Sequence, residues 1–190
     1  MITELKSIES RDEAVCPVWD LTEFFPFVDG SVILKQNTIG RLKSHLAPAH
    51  DPLGETFFSR SYWADYSITV SNSQRCGIDM ESSSSAQLNW SINNPIFQDS
   101  MLAPGELDRI KKSKYWKLPN LERNIWSSKE ALAKALGEAK NYQPNKLYSP
   151  ILWETNPAMG WHASFREFTV EGCVPLLVWL VLRIGDLQES

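Results

Sequence analysis

At 190 residues, with 43% hydrophobic and 22% charged side chains, the chain has the length of one large or two small domains and an ordinary globular composition. A formal net charge of −4 argues against a general nucleic-acid binder, and the longest apolar run, 174–182, is too short to span a bilayer. Three cysteines (Cys16, Cys76, Cys173), odd in number and widely spaced, form no Cys-x-x-Cys pair, so neither a zinc ribbon nor a disulfide framework is indicated, and a reducing cytoplasm fits.

In chain order, the first residues lack the basic segment and apolar core of a signal peptide, and 1–20 show no clear periodicity. Residues 23–28 end at the turn signal Asp29-Gly30, and 31–34 read as a short strand. Ile39, Leu42 and Leu46 share one face of a helix over 37–46, and Pro48 and Pro52 make 47–55 a loop. Strands at 56–61, 66–71 and 76–81 follow, joined by turns at 62–65 and 72–75. The serine run 82–85 has linker composition, and 86–103 are poorly patterned. A helix starts at Pro104 with acidic residues in its first turn. After Pro119-Asn120 comes a central helix over 121–136, rich in alanine and leucine and stopped by Gly137. Residues 141–157 read as loop with one strand at 147–153. The chain ends in a hairpin of strands 161–168 and 174–183 around Glu171-Gly172, and no internal repeat is visible.

Two stretches carry chemistry. Asp79 and Glu81 are two apart, so on a strand both carboxylates face one side. Such a pair suits Mg²⁺, and it equally suits the exposed face of an edge strand. Trp126, Glu130 and Lys134 recur every four residues on the central helix, either as an ordinary surface Glu–Lys pair or as a stripe facing a cleft. If Glu130 met Asp79 and Glu81, three carboxylates would converge and call for a cation, and Lys134 could neutralise a phosphate. Arg60, between Ser59 and Ser61, reads equally as a phosphate fork or an exposed strand residue. The basic cluster Arg109, Lys111, Lys112, Lys114 and Lys117 reads as a solvated helix face, or as a steering patch for an acidic partner. His45 and His50 make no convincing zinc pair, and His162 reads as structural. No Gly-x-Ser-x-Gly, P-loop or Gly-x-Gly-x-x-Gly pattern occurs.

Gly77-Ile-Asp-Met-Glu81 followed by Trp126-Ser-Ser-Lys-Glu-Ala-Leu-Ala-Lys134 resembles the paired signature of the 4′-phosphopantetheinyl transferases: Gly-Ile/Val-Asp-x-Glu, a spacer, then Trp/Phe-x-x-Lys-Glu-x-x-x-Lys. The resemblance covers roughly residues 56–140. With seventy-six residues ahead of Gly77, it implies the long build of that family: an α+β monomer of two similar halves, each a small antiparallel sheet packed with helices. The N-terminal half would be 1–75, on the coenzyme A side, and the half carrying the motifs 76–190. The implied reaction moves 4′-phosphopantetheine from coenzyme A to a serine of an apo acyl or peptidyl carrier protein and releases adenosine 3′,5′-bisphosphate. Asp79, Glu81 and Glu130 would hold Mg²⁺. Glu130 would serve as base for the carrier serine, Lys134 would hold the phosphate under attack, and Lys129 would be a second cation near the diphosphate. Ser59-Arg60-Ser61 would stand where the family has Ser-His-Ser, with Arg60 in the histidine's place reaching the 3′-phosphate of coenzyme A. The sequence departs from the family in lacking the upstream Gly-Lys-Pro segment, replaced by 52–55, and in having Gly137-Glu-Ala139 after the helix. A non-catalytic relative that binds a carrier protein or other partner is the alternative. A metal-dependent phosphodiesterase on another fold is the third reading.

Overall fold

The computed structural model describes residues 2–5, 17–36, 56–83, 91–153, 160–170 and 175–184. The architecture is α+β: two four-stranded sheets stacked face to face, with helices covering the outer face of one of them. The first sheet is antiparallel, with strand order β2 (Val18–Asp20), β3 (Ser31–Gln36), β5 (Tyr66–Asn72), β4 (Phe57–Trp63). The second runs β1 (Ile2–Leu5), β7 (Trp161–Val170), β8 (Leu176–Arg183), β6 (Cys76–Ser82). Its strands are antiparallel except β1, which pairs parallel to β7.

β8 shows why the layers stack this way. Its run Leu-Leu-Val-Trp-Leu-Val-Leu is buried on both faces, as expected of a central strand. Leu176, Val178, Leu180 and Leu182 meet Val32, Leu34, Ile68 and Val70 of the other sheet. Leu177, Trp179 and Val181 meet the helical layer. That layer holds α1 (Pro95–Met101), α2 (Glu106–Lys112) and α3 (Leu121–Leu136). Gly137 ends α3 in the left-handed region (φ 78°), and the Glu138 amide closes back on Ala133 O at 2.8 Å.

Several expectations need correction. The strand expected at 147–153 instead holds a 3₁₀ turn, Pro150–Leu152, because Pro150 cannot donate to a ladder and Ser149 caps the turn. Residues 86–103 hold the helix α1, with Asn94 as N-cap and Pro95 in its first turn. The strands β1 and β2 were not expected. The helix over 37–46 with His45, the loop 47–55 with His50, Cys16, Cys173 and the turn at Glu171-Gly172 lie outside the described residues. Among the described residues, no helix is long and apolar enough to cross a membrane.

Candidate active site at the seam of the two sheets

β6 is an edge strand, and its free side is occupied by serine hydroxyls from β4. Ser59 and Ser61, two apart on β4, project the same way. Ser59 Oγ accepts the Ile78 amide at 3.0 Å, and Ser61 Oγ accepts the Met80 amide at 3.1 Å. The proton of Ser61 goes to Asp79 Oδ1 at 2.9 Å. The hydroxyls thus replace a strand ladder and fix one carboxylate oxygen.

α3 approaches the other face of β6 closely. A Cβ at Gly77 would lie 1.9 Å from Ala131 O and 2.5 Å from the Ala135 amide, so only glycine permits this contact. The close approach drops Lys134 onto β6. Its ammonium donates to Asp79 Oδ1 at 2.7 Å and to Ile78 O at 3.0 Å, and lies 3.8 Å from Glu130 Oε2. The two motifs, about fifty residues apart in sequence, therefore meet in one cleft.

The electrostatics are unbalanced. Asp79 is 2% exposed, and its Oδ2 is buried with no donor while Glu130 is ionised; a protonated Glu130 donates to the Asp79 carboxylate. The Glu130 carboxyl is pushed up to about 7, first by burial and then by the charge of Asp79. Glu81 is pushed up to about 7 by the same two causes, against the opposing charges of Arg123 and Lys134. Tyr142, whose ring meets Trp126 edge-on at 5.8 Å, keeps its hydroxyl buried without a partner. Burial and then the charges of Glu130, Asp79 and Glu106 push its phenol up, so it stays a neutral donor beside the carboxylates.

Among the described residues, no group of three or more His, Cys, Asp or Glu side chains is arranged to hold a metal as it stands, and the cation shared by the carboxylates is Lys134. The donor chemistry nevertheless fits a hard divalent cation. A bare buried oxygen on Asp79 and two carboxyls that retain protons to about pH 7 are what such a cation would relieve.

Three other residues singled out in the sequence lie elsewhere. Lys129 is fully buried, and its ammonium bonds Glu106 Oε2 and Met101 O at 2.5 Å and Pro144 O at 3.0 Å. This corrects its expected place near a diphosphate: all three donors are taken inside the protein. Arg60 projects from the opposite face of β4, where it donates to Thr69 Oγ1 at 3.1 Å and to the Tyr62 hydroxyl at 3.0 Å. Ser59 is 8% exposed and its oxygen accepts a β6 amide. Sequence reasoning missed Glu106, read only as helix-start acidity, and Tyr142, which sits in a stretch with no pattern.

Compared with known protein families, the chain matches the model of the 4′-phosphopantetheinyl transferase superfamily over residues 75–170, half of its length, and both motifs fall inside that span. No curated protein matches it.

Proposed function

The chain belongs to the 4′-phosphopantetheinyl transferase superfamily, and from that premise we propose that it moves 4′-phosphopantetheine from coenzyme A to a serine hydroxyl of an apo acyl or peptidyl carrier protein. The observation that carries the reading is the meeting of Asp79, Glu130 and Lys134, drawn from both matched motifs, around an unmatched carboxylate oxygen.

In this reading the serine oxygen forms a bond to the phosphorus bearing pantetheine. The bond from that phosphorus to the bridging oxygen breaks, and adenosine 3′,5′-bisphosphate leaves. Glu130 takes the serine proton, its carboxylate standing in the same cleft as Asp79 and Lys134. Lys134 spends two donors on Asp79 and Ile78, and its remaining donor serves the phosphate under attack. Ser61 fixes the orientation of Asp79. Asp79, Glu81 and Glu130 would hold Mg²⁺, which supplies charge neutralisation of the diphosphate. Lys129 and Ser59 have structural roles in this account.

The same reading takes the chain as a cytoplasmic monomer with the halves 1–75 and 76–190 and the site between them, save that β1 crosses over to pair with β7 in the sheet of the second half. The support is the seam itself, where Ser61 of one sheet meets Asp79 of the other. The test is intact-mass spectrometry of an apo carrier protein incubated with this protein, coenzyme A and Mg²⁺. A mass gain of one phosphopantetheine that disappears with Glu130→Ala or EDTA is expected. No gain across several acyl and peptidyl carriers, from folded protein, would assign the chain to the non-catalytic relatives. Hydrolysis of coenzyme A without any carrier would point to a phosphodiesterase.

A further inference from the structure

β1 covers only part of the strand it joins. It pairs with residues 167–170 of β7, so on that side residues 161–166 have no strand partner among the described residues. The direction of their backbone groups follows from the ladder. The Ile184 amide bonds Gly160 O, which makes Gly160–Ile184 a hydrogen-bonded pair, and such pairs alternate along an antiparallel ladder. Trp161, Ala163 and Phe165 therefore point their N–H and C=O groups away from β8, toward the open edge. The Phe165 carbonyl already takes Arg166 Nη1 at 2.7 Å. A row of unpaired backbone groups is a template for another strand.

The edge forms the floor of a cavity of about 410 Å³, lined by all six residues from Trp161 to Arg166. Trp153 and Tyr115 wall it on the helical side and Phe27 on the other. Phe27 is 54% exposed, its ring 4.1 Å from that of His162. None of the lining residues is acidic. Arg166 lies inside, Arg183 sits over the Trp161 ring at 5.6 Å, and Lys114 over the Tyr115 ring at 5.1 Å. Glu167 follows where β1 takes over. On a chain of net charge −4, this rim is locally basic. Six residues of open strand accommodate an extended segment of about 20 Å.

We propose that the open edge of β7, with its aromatic walls and basic rim, docks an extended acidic-apolar segment of a partner protein by strand addition. Backbone ladder bonds would give affinity, and the aromatic walls and arginines would select alternating apolar and acidic side chains. The proposal does not depend on the carboxylate cleft and goes beyond the transfer reaction.

Two fluorescein-labelled octapeptides test it on the full chain, one alternating glutamate and leucine, the other lysine and leucine. The expected result is saturable anisotropy binding of the acidic peptide, weakened by salt and at least tenfold weaker for the lysine peptide. N-methylation of alternate backbone amides should cost at least a further tenfold in one of the two possible registers; this arm leaves the protein unaltered. Ala163→Pro, which removes an outward N–H without touching the β8 ladder, should have the same effect with the far-UV dichroism retained. No binding of the acidic peptide, equal binding of both, or indifference to N-methylation in both registers would overturn the proposal. So would sedimentation showing that the chain pairs with a second copy through this edge, with Ala163→Pro restoring the monomer.

Discussion

Two lysine–carboxylate pairs hang from the same helix, five residues apart, and they are opposites. Lys129 and Glu106 are both fully buried, and every donor and acceptor is used: Glu106 also accepts the Ala103 amide at 2.8 Å and the Ser149 amide at 2.6 Å. This pair ties α3 to the starts of α2 and of the 149–153 segment. Lys134 and Asp79 have similar chemistry, yet the lysine side chain is 21% exposed, a carboxylate oxygen has no donor, and two further carboxyls crowd in. A satisfied buried pair has nothing left to offer a ligand, whereas an unsatisfied one at a cleft does. The contrast separates structure from function more sharply than the residue types, which are the same.

Substitutions should split along this line. Asp79→Asn is expected to cost about a thousandfold in transfer rate with little change in folding, measured by carrier-loading kinetics and urea titration. Lys129→Met should do the reverse at the level of folding, destabilising by about 3–5 kcal/mol because it strands the Glu106 charge. Adding Glu106→Gln should recover a substantial part; no recovery would mean that charge is not the cause. Gly77→Ala forces α3 off β6 and should cost about 1–3 kcal/mol together with activity, since Lys134 moves with the helix. Ser61→Ala frees Asp79 and should lower transfer about tenfold, and because it also leaves the buried Met80 amide without its acceptor it should cost about 1–3 kcal/mol of stability.

The smallest effect is on pH. Glu81 and Glu130 hold protons in the fold up to about 7, whereas the unfolded chain releases them near 4.5. Between those values the folded state binds more protons, so stability is highest on the acid side and falls as pH rises through 7. In metal-free protein, the melting temperature should therefore drop from pH 6 to pH 8 by scanning calorimetry. The drop should shrink in Asp79→Asn, which removes the second cause of both shifts.

Much of this was legible in the sequence where local rules agree. α3 occupies 121–136 as expected, because a run of helix formers meets a glycine able to take the left-handed stop. Strands β4 to β6 followed from alternation and turn residues, and the clustering of Asp79, Glu130 and Lys134 from the paired motifs. The rest depended on tertiary context. Helix α1 has only Phe97 and Met101 as buried apolar anchors, too few to show a period. Four-residue β1 is defined by its distant partner strand. Lys129 was misplaced because the motif puts it beside Glu130, although one residue turns a helix by about 100°. Its spacing from Ile125 and Leu132, both buried, was the available signal. Glu106 and Tyr142 gain their roles only by contacts far along the chain.

The most direct test of the central claim is calorimetric titration of coenzyme A with and without Mg²⁺, on the unmodified chain, Asp79→Asn, and the double variant Lys129→Met/Glu106→Gln. The account predicts a Mg²⁺-dependent gain in affinity that Asp79→Asn abolishes and the double variant retains. A gain that survives Asp79→Asn, or one lost only with the buried pair, would contradict it.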